Sequence, residues 1–256
     1  MHAVIDIGNT RIKWALVDGG QLVAPGSAVH RGALDAALAA LDAALPRDLE
    51  RVIVANVAGE HAADRLRVLA RSRARARVEL VATTAERFGV RCAYAEPRRL
   101  GVDRWVAILA AHRAAGGTAC VINAGTAVTF DAVDASGRHL GGLILPGTRL
   151  MAMALDRHTS NIGATKPAAG APAGLELLGE STAAAVGNGT MLALAAALDR
   201  AIGTVARAFG APPRVYLSGG DAASLRAWLE TGVELRADLV LEGLALFAAE
   251  PKGADA

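Results

Sequence analysis

The 256-residue sequence predicts an α/β protein of two related lobes, each built on a mixed sheet, and two observations carry that prediction. The first is an internal echo. Val4-Ile5-Asp6-Ile7-Gly8-Asn9-Thr10, followed by a strand-like run to Asp18-Gly19, returns as Val121-Ile122-Asn123-Ala124-Gly125-Thr126, then Ala127 to Val133 and the turn Asp134-Ala135-Ser136-Gly137. The second is that each copy passes from hairpins into alternating strand and helix, the pattern of an α/β arrangement with a mixed sheet. The copies lie too far apart for a solenoid, whose repeats are a few tens of residues long, so the duplicated unit is a lobe. The expected lobes are residues 1–115 and 116–256.

After the first hairpins, an alanine-rich stretch from Leu34 to Leu45 reads as a helix, RVIVANVAG at 51–59 as a strand, Asp64 to Arg71 as a helix and ARVELVATT at 76–84 as a closing strand. A polar loop from Arg91 then feeds a helix that begins near Asp103. The second lobe repeats the order: hairpins from Ala119 to Leu145, a long helix within 181–208, the strand RVYLSGG at 214–220 and a helix from Ala222 to Glu230. Residues 164–174, rich in Ala, Pro and Gly, read as a loop or lid.

Composition narrows the function classes. Hydrophobic residues make up 53% and charged residues 20%, which describes a folded globular chain rather than a disordered one. A formal charge of only +2 argues against broad capture of nucleic acid, and the basic run RSRARAR at 71–77 reads more simply as the solvated end of a helix than as a polyanion patch. Cys92 and Cys120 form no CxxC pattern and no disulfide framework, so reduced thiols in a cytoplasmic enzyme are the simplest account. MHAVIDIG carries no basic leader followed by an apolar run, and no long apolar stretch free of charge follows, so neither export nor membrane insertion is expected. The six histidines show no HExxH or HxxxH spacing. Trp14, Trp105 and Trp228 read as core or interface residues.

A charge inside the first strand needs a reason. A strand that breaks at once into a Gly-rich turn presents backbone N–H groups without obstruction, which suits phosphate oxygens. Asp6 at the strand end can hold magnesium, which takes one or two carboxylates plus phosphate oxygens, while Asn9, Thr10 and Lys13 supply donors. The plainer reading is a hairpin turn capped by Asp6, and it loses ground because a second Gly-Thr turn, GTAVTFD, stands at the matching place of the second lobe. No GxxxxGK[ST] and no HRD with a following DFG occur, which excludes a P-loop protein and a protein-kinase fold. In LSGGDA the GxSxG pattern is not met, and Gly219 and Gly220 after a strand fit a nucleotide-base platform better than a serine nucleophile.

The second chemical candidate is GVDRW at 101–105. Asp103 can be a helix N-cap, a base that accepts a substrate hydroxyl proton, or both, and Arg104 beside it can clamp an anion.

Together DIGNTRIK, GVDR, NAGTAVTFD, LPG before a helix, TAAAVG at 182–187, LSGGDA and DLVLEGL at 238–244 resemble, in order and over nearly the whole chain, the type III pantothenate kinases. That resemblance implies an actin-like fold of two duplicated ribonuclease-H-like lobes, and an enzyme that phosphorylates the primary hydroxyl of pantothenate with ATP to 4'-phosphopantothenate, the first step of coenzyme A synthesis. It implies magnesium, a monovalent cation (potassium or ammonium) and a homodimer with pantothenate pockets near the interface. Carried over by position, Asp6, Ile7, Gly8, Asn9, Thr10, Arg11, Ile12 and Lys13 would bind ATP with Asp6 toward magnesium, and Thr126 would touch the nucleotide. Tyr94, Gly101, Val102, Asp103 and Arg104 would line the pantothenate pocket with Asp103 as proton acceptor, and Thr182 would reach pantothenate from the partner subunit. Asn123 stands where the family usually has the aspartate that helps hold the monovalent cation; it keeps a carbonyl oxygen and loses the charge, which implies a reduced or altered potassium requirement. Two rivals share these loops. A sugar or polyol kinase would prefer acidic and amide groups around its acceptor, whereas Arg104 or Arg157 suits a substrate carboxylate. A nucleotide-responsive regulatory protein that has lost catalysis is favoured only by Asn123 and opposed by Asp6 and Asp103.

Overall fold

Residues 1–71, 77–160, 162–163 and 170–250 are described in the computed structural model of the chain. The core of the basic run at 71–77 and most of the 164–174 stretch therefore lie outside the described residues.

The first unit begins with an antiparallel meander, β1 (His2–Ile7), β2 (Arg11–Asp18) and β3 (Gln21–Val29), followed by helix α1 (Leu34–Ala44), strand β4 (Arg51–Asn56), helix α2 (Glu60–Arg71) and strand β5 (Arg77–Leu80). The sheet order is β3-β2-β1-β4-β5, with β4 parallel to β1 and β5 parallel to β4. Successive side chains on a strand point to opposite faces. Ala3, Ile5 and Ile7 accordingly share one core with Ile12, Trp14, Val52 and Val54 and with Leu38 and Leu41 of α1 and Leu66 of α2. Each such large side chain, once fully buried, contributes about 1.5–3 kcal/mol. Asp6 falls on the other face, with Val4.

A two-stranded ribbon, β6 (Glu86–Arg87) and β7 (Val90–Arg91), precedes helix α3 (Val102–Ala115). The second unit repeats the first: β8 (Ala119–Ala124), β9 (Ala127–Val133) and β10 (His139–Pro146) form the meander, then come α4 (Thr148–His158), α5 (Thr182–Phe209), β11 (Arg214–Ser218), α6 (Ala222–Arg226) and β12 (Glu234–Leu235). The sheet order is β10-β9-β8-β11-β12, with β11 parallel to β8 and β12 parallel to β11. Its core joins Ile122, Phe130 and Leu217 to Met191, Leu194 and Leu198 of α5. Helix α5 starts where the Ser181 hydroxyl accepts the Ala184 N–H at 3.2 Å, an N-cap bond. By length and composition α5 could also cross a membrane, and eight of its residues are buried in the fold.

Three sequence expectations change. The last helix, α7 (Leu239–Ala248), groups with the first unit rather than the second: its residues Leu239, Leu241 and Leu244 are buried, and it packs on β1, β2, β3 and β4. Arg51 secures it, donating to the carbonyls of Ala248 and Glu250 while pairing with both carboxylate oxygens of Glu79. Gly243 is what lets α7 meet α3, since a Cβ there would lie 2.0 Å from the Val106 carbonyl oxygen. The helix expected over 222–230 ends at Arg226; the Trp228 N–H then closes on the Leu225 carbonyl, and the Asp199 carboxylate takes the N–H groups of Glu230 and Thr231. Strand β4 ends at Asn56, whose side chain accepts the Ala58 N–H and donates to the Gly59 carbonyl, an Asx-type turn.

Candidate active site

In the first unit the chemistry gathers around the turn between β1 and β2. Asp6 stands opposite Lys13 on β2 and Ala55 on β4. The Gly8 N–H donates to the Arg11 carbonyl at 3.1 Å, the His30 N–H closes on the Thr10 carbonyl at 2.9 Å and the Val57 N–H on the Ile7 carbonyl at 3.0 Å. The turn is thus held from both neighbouring strands, and Asn9 at its tip is exposed. Ile7 and Ile12 are fully buried in the first core, so of these two expected ATP contacts only the main chain can face a ligand. Arg11 is exposed and donates to the Ser27 hydroxyl at 2.9 Å.

The Asp6 carboxyl is pushed up from 3.8 to about 7, first by desolvation and then by the negative charge of Asp103, with Lys13 working in the opposite direction. Its Oδ1 is buried and has no hydrogen-bond partner among the described residues. An orphaned carboxylate oxygen beside a second carboxylate suits a hard divalent cation. Among the described residues no group of three or more His, Cys, Asp and Glu could hold a metal ion.

Asp103 lies in the first turn of α3 and is not its cap: the helix begins at Val102, and the Trp105 N–H reaches back to the Gly101 carbonyl at 3.0 Å. The Asp103 Oδ1 accepts the N–H of Arg104 at 2.8 Å and folds over Gly101, where a Cβ would come within 2.7 Å of it. Arg104 is buried, its guanidinium 3.3 Å from the Tyr94 hydroxyl and 5.9 Å from the ring centroid. All the expected residues except Asn123, Thr126 and Thr182 thus belong to the first unit, where the charge of Asp103 acts on Asp6.

Asn123, Thr126 and Thr182 belong to the second unit. Asn123 occupies the place of Asp6 in its sheet, paired with Thr129 and Ser218, and Thr126 is exposed in the turn that follows. Thr182 opens α5 and lines an apolar cavity of about 980 Å³ with Leu150, Met151, Val186 and Thr190. Gly219 has a structural duty: at φ +102°, a Cβ on it would lie 2.2 Å from the Ala124 carbonyl oxygen. Ser218 donates to the Ala237 carbonyl. All three tryptophans are buried. Two features went unread in the sequence: the cavity, whose lining is apolar and scattered over 146–193, and His30, whose one signal is its place just after the third strand of the meander.

Two copies of one mixed-sheet order, each with a glycine turn between its first two strands, define the actin-like fold of duplicated ribonuclease-H-like lobes. A solved structure with this likeness is the activator of the 2-hydroxyisocaproyl-CoA dehydratase from Clostridium difficile with bound ADPNP, 13% identical, TM-score 0.52, covering 96% of this chain and 93% of that one. Within that fold the chain belongs to the type III pantothenate kinase family, whose model matches residues 3–204. Type III pantothenate kinases from Nitrosococcus oceani and Aromatoleum aromaticum are respectively 36% identical over 97% of this chain and 94% of theirs, and 41% identical over 99% and 100%. The chain is a kinase of that family, with ATP as co-substrate; the sugar or polyol kinase reading falls away.

Proposed function

We propose that this kinase transfers the γ-phosphoryl group of ATP in line to the primary hydroxyl of pantothenate, with Asp103 as the proton acceptor. What supports the assignment is the buried Asp6 Oδ1 without a hydrogen-bond partner among the described residues, on a carboxyl that also feels the negative charge of Asp103. The backbone of residues 8–10 and the side chains of Thr10 and Lys13 hold phosphate oxygens, and Thr126 touches the nucleotide. Asp6 would hold the magnesium ion that offsets charge on those oxygens. Arg104, kept in place by Tyr94, gives the pantothenate carboxylate a cationic partner, and Gly101 and Val102 line the same pocket. Asp103 is held against the Arg104 N–H, which fixes its carboxylate while leaving lone pairs to receive the hydroxyl proton.

A homodimer completes the reading, with Thr182 facing the partner's pantothenate. Its support is the exposure of Ile144, Leu150, Leu155, Leu175, Leu178 and Leu192 on the second unit, apolar side chains of the kind that subunit contacts cover. Asn123 offers a neutral carbonyl oxygen where a monovalent cation would bind, so we expect a weaker or altered cation requirement. The reading needs neither nucleic acid nor a membrane. It carries a cytoplasmic location with it, where the free thiols Cys92 and Cys120 stay reduced.

The test is ADP release with ATP, magnesium and pantothenate, under potassium, ammonium or sodium. Pantothenate-dependent turnover is expected, falling on the order of 10²- to 10⁴-fold in Asp103→Asn with ATP binding retained. Near-normal turnover in that variant would remove Asp103 from its role. No turnover with any cation would favour the regulatory alternative.

A further inference from the structure

The β1–β2 turn exposes two carbonyls to its neighbours, those of Gly8 and Thr10, and one residue engages both. His30 follows directly after β3, which pairs with β2 through Arg11 and Val29. Its backbone N–H donates to the Thr10 carbonyl at 2.9 Å, and its Nε2 lies 2.6 Å from the Gly8 carbonyl oxygen. The residue is only 8% exposed. A carbonyl has no proton to give, so Nε2 is the protonated nitrogen and the imidazole is the donor. The chain turns immediately afterwards, with the Ala33 N–H on the His30 carbonyl at 2.9 Å and Gly32 at φ +77°, which seats the histidine against the turn.

The second unit supplies a comparison from within the same molecule. Gly147 follows β10 as His30 follows β3, and its N–H donates to the Thr126 carbonyl at 3.0 Å, the same backbone bond. There the backbone itself presses on the turn, since a Cβ on Gly147 would lie 2.4 Å from the Gly125 carbonyl oxygen. The duplicated fold thus needs the backbone bond in both places. The imidazole contact is particular to the turn that follows Asp6.

We infer that His30 is a positioning residue for ATP: by holding the Gly8 carbonyl it fixes the Gly8–Asn9 peptide in the orientation that serves the phosphates. In a planar trans peptide the carbonyl and the next N–H point in opposite directions, so an anchored Gly8 carbonyl sets where the Asn9 N–H aims. Gly8 has no Cβ to restrict this peptide's rotation, which is why an outside anchor is useful. The inference rests on residues 6–13 being the phosphate-binding segment.

The experiment compares wild type, His30→Leu and His30→Gln in calorimetric titration with magnesium-ATP without pantothenate, and in steady-state turnover. Leucine fills space without a donor, whereas glutamine carries an amide N–H at similar reach. Leucine should weaken ATP binding and raise the KM for ATP about tenfold, the effect of one well-placed hydrogen bond, with kcat and the KM for pantothenate within about twofold. Glutamine should restore most of the affinity. Should His30→Leu not fold, His30→Met provides the same comparison. Wild-type affinity in the leucine or methionine variant overturns the inference, as does a glutamine variant as weak as either, which would show a packing role. Wild type that turns over pantothenate while the variants behave alike defeats only the role of His30. Wild type that binds no ATP defeats the phosphate-segment reading itself, and this inference with it.

Discussion

The turns after β1 and after β8 stand at the same place in two copies of one sheet, and they differ by a charge and by a residue. Asp6 precedes the first turn and Asn123 the second. The first closes from the Gly8 N–H to the Arg11 carbonyl, three residues on; the second closes from the Gly125 N–H to the Ala127 carbonyl, two residues on. The neighbouring strands make matching contacts, from the Val57 N–H to the Ile7 carbonyl and from the Asp221 N–H to the Ala124 carbonyl. Duplication has kept the backbone frame while the side chains diverged. The wider turn carries the carboxylate with an orphaned oxygen, and the tighter one is pressed by glycines. Under the proposed function, this asymmetry puts the charge chemistry in the first unit and a positioning role in the second.

The largest way to break the asymmetry is Asp6→Asn. A carboxyl raised from 3.8 to about 7 keeps its proton in the folded protein where the unfolded chain has already lost it. Stability of the metal-free protein therefore falls as pH rises from about 4 to about 7 and levels off above that. Asparagine cannot ionise, so this slope disappears, and at pH 8 the variant gains on the order of 2–4 kcal/mol over metal-free wild type. Its turnover should nevertheless drop about 100-fold or more, because the group that would hold magnesium has lost its charge. Thermal melts at pH 5 and pH 8 with and without magnesium check this; an unchanged pH slope in the variant would show that Asp6 is not the group responsible.

Gly147→Ala tests the other turn by a purely steric route. Gly147 has φ −66° and ψ 161°, which alanine adopts without strain, so the whole cost comes from the contacts at 2.4 Å to the Gly125 oxygen and 2.7 Å to the Thr126 oxygen. Such overpacking costs about 1–3 kcal/mol, and Tm should fall by several degrees. Thr126 moves with the turn, so the KM for ATP should rise a few-fold while the pH slope due to Asp6 stays as in wild type. A variant with wild-type Tm and KM would mean that the second turn gives way without consequence.

Much of this was legible in the sequence because the signals were local. The echo of Val4–Thr10 in Val121–Thr126 gave the duplicated sheet, and a carboxylate set among β-branched residues flagged Asp6. What stayed hidden depended on long-range contacts. The attachment of α7 to the first sheet rests on Arg51 and on Gly243, each far in sequence from its partners, and no local pattern announces either. The segment after α6 is tied down by Asp199, about thirty residues upstream. For Asp103 the sequence left cap and base both open, because cap and first-turn positions favour the same acidic side chain; the structure puts it in the first turn. His30 was missed because a single histidine after a strand carries meaning only once the strand's partner is known.

The smallest expected effect, and the sharpest use of the comparison, is Asn123→Asp, which gives the second turn the charge that the first already has. Asn123 and Asp6 share strand position and pairing, so the substitution changes one amide to a carboxylate with little change of shape. A carboxylate attracts a monovalent cation more strongly than a neutral carbonyl oxygen does, and a cation bound there offsets charge near Thr126 in the same turn. The half-saturating potassium concentration should fall a few-fold, and turnover in sodium relative to potassium should drop. Potassium titrations of wild type and variant, in parallel with ammonium, measure both. If wild type already saturates at low potassium and the variant leaves that curve unmoved, the neutral residue was never a handicap. The asymmetry between the turns would then lie in Asp6 and the wider loop alone.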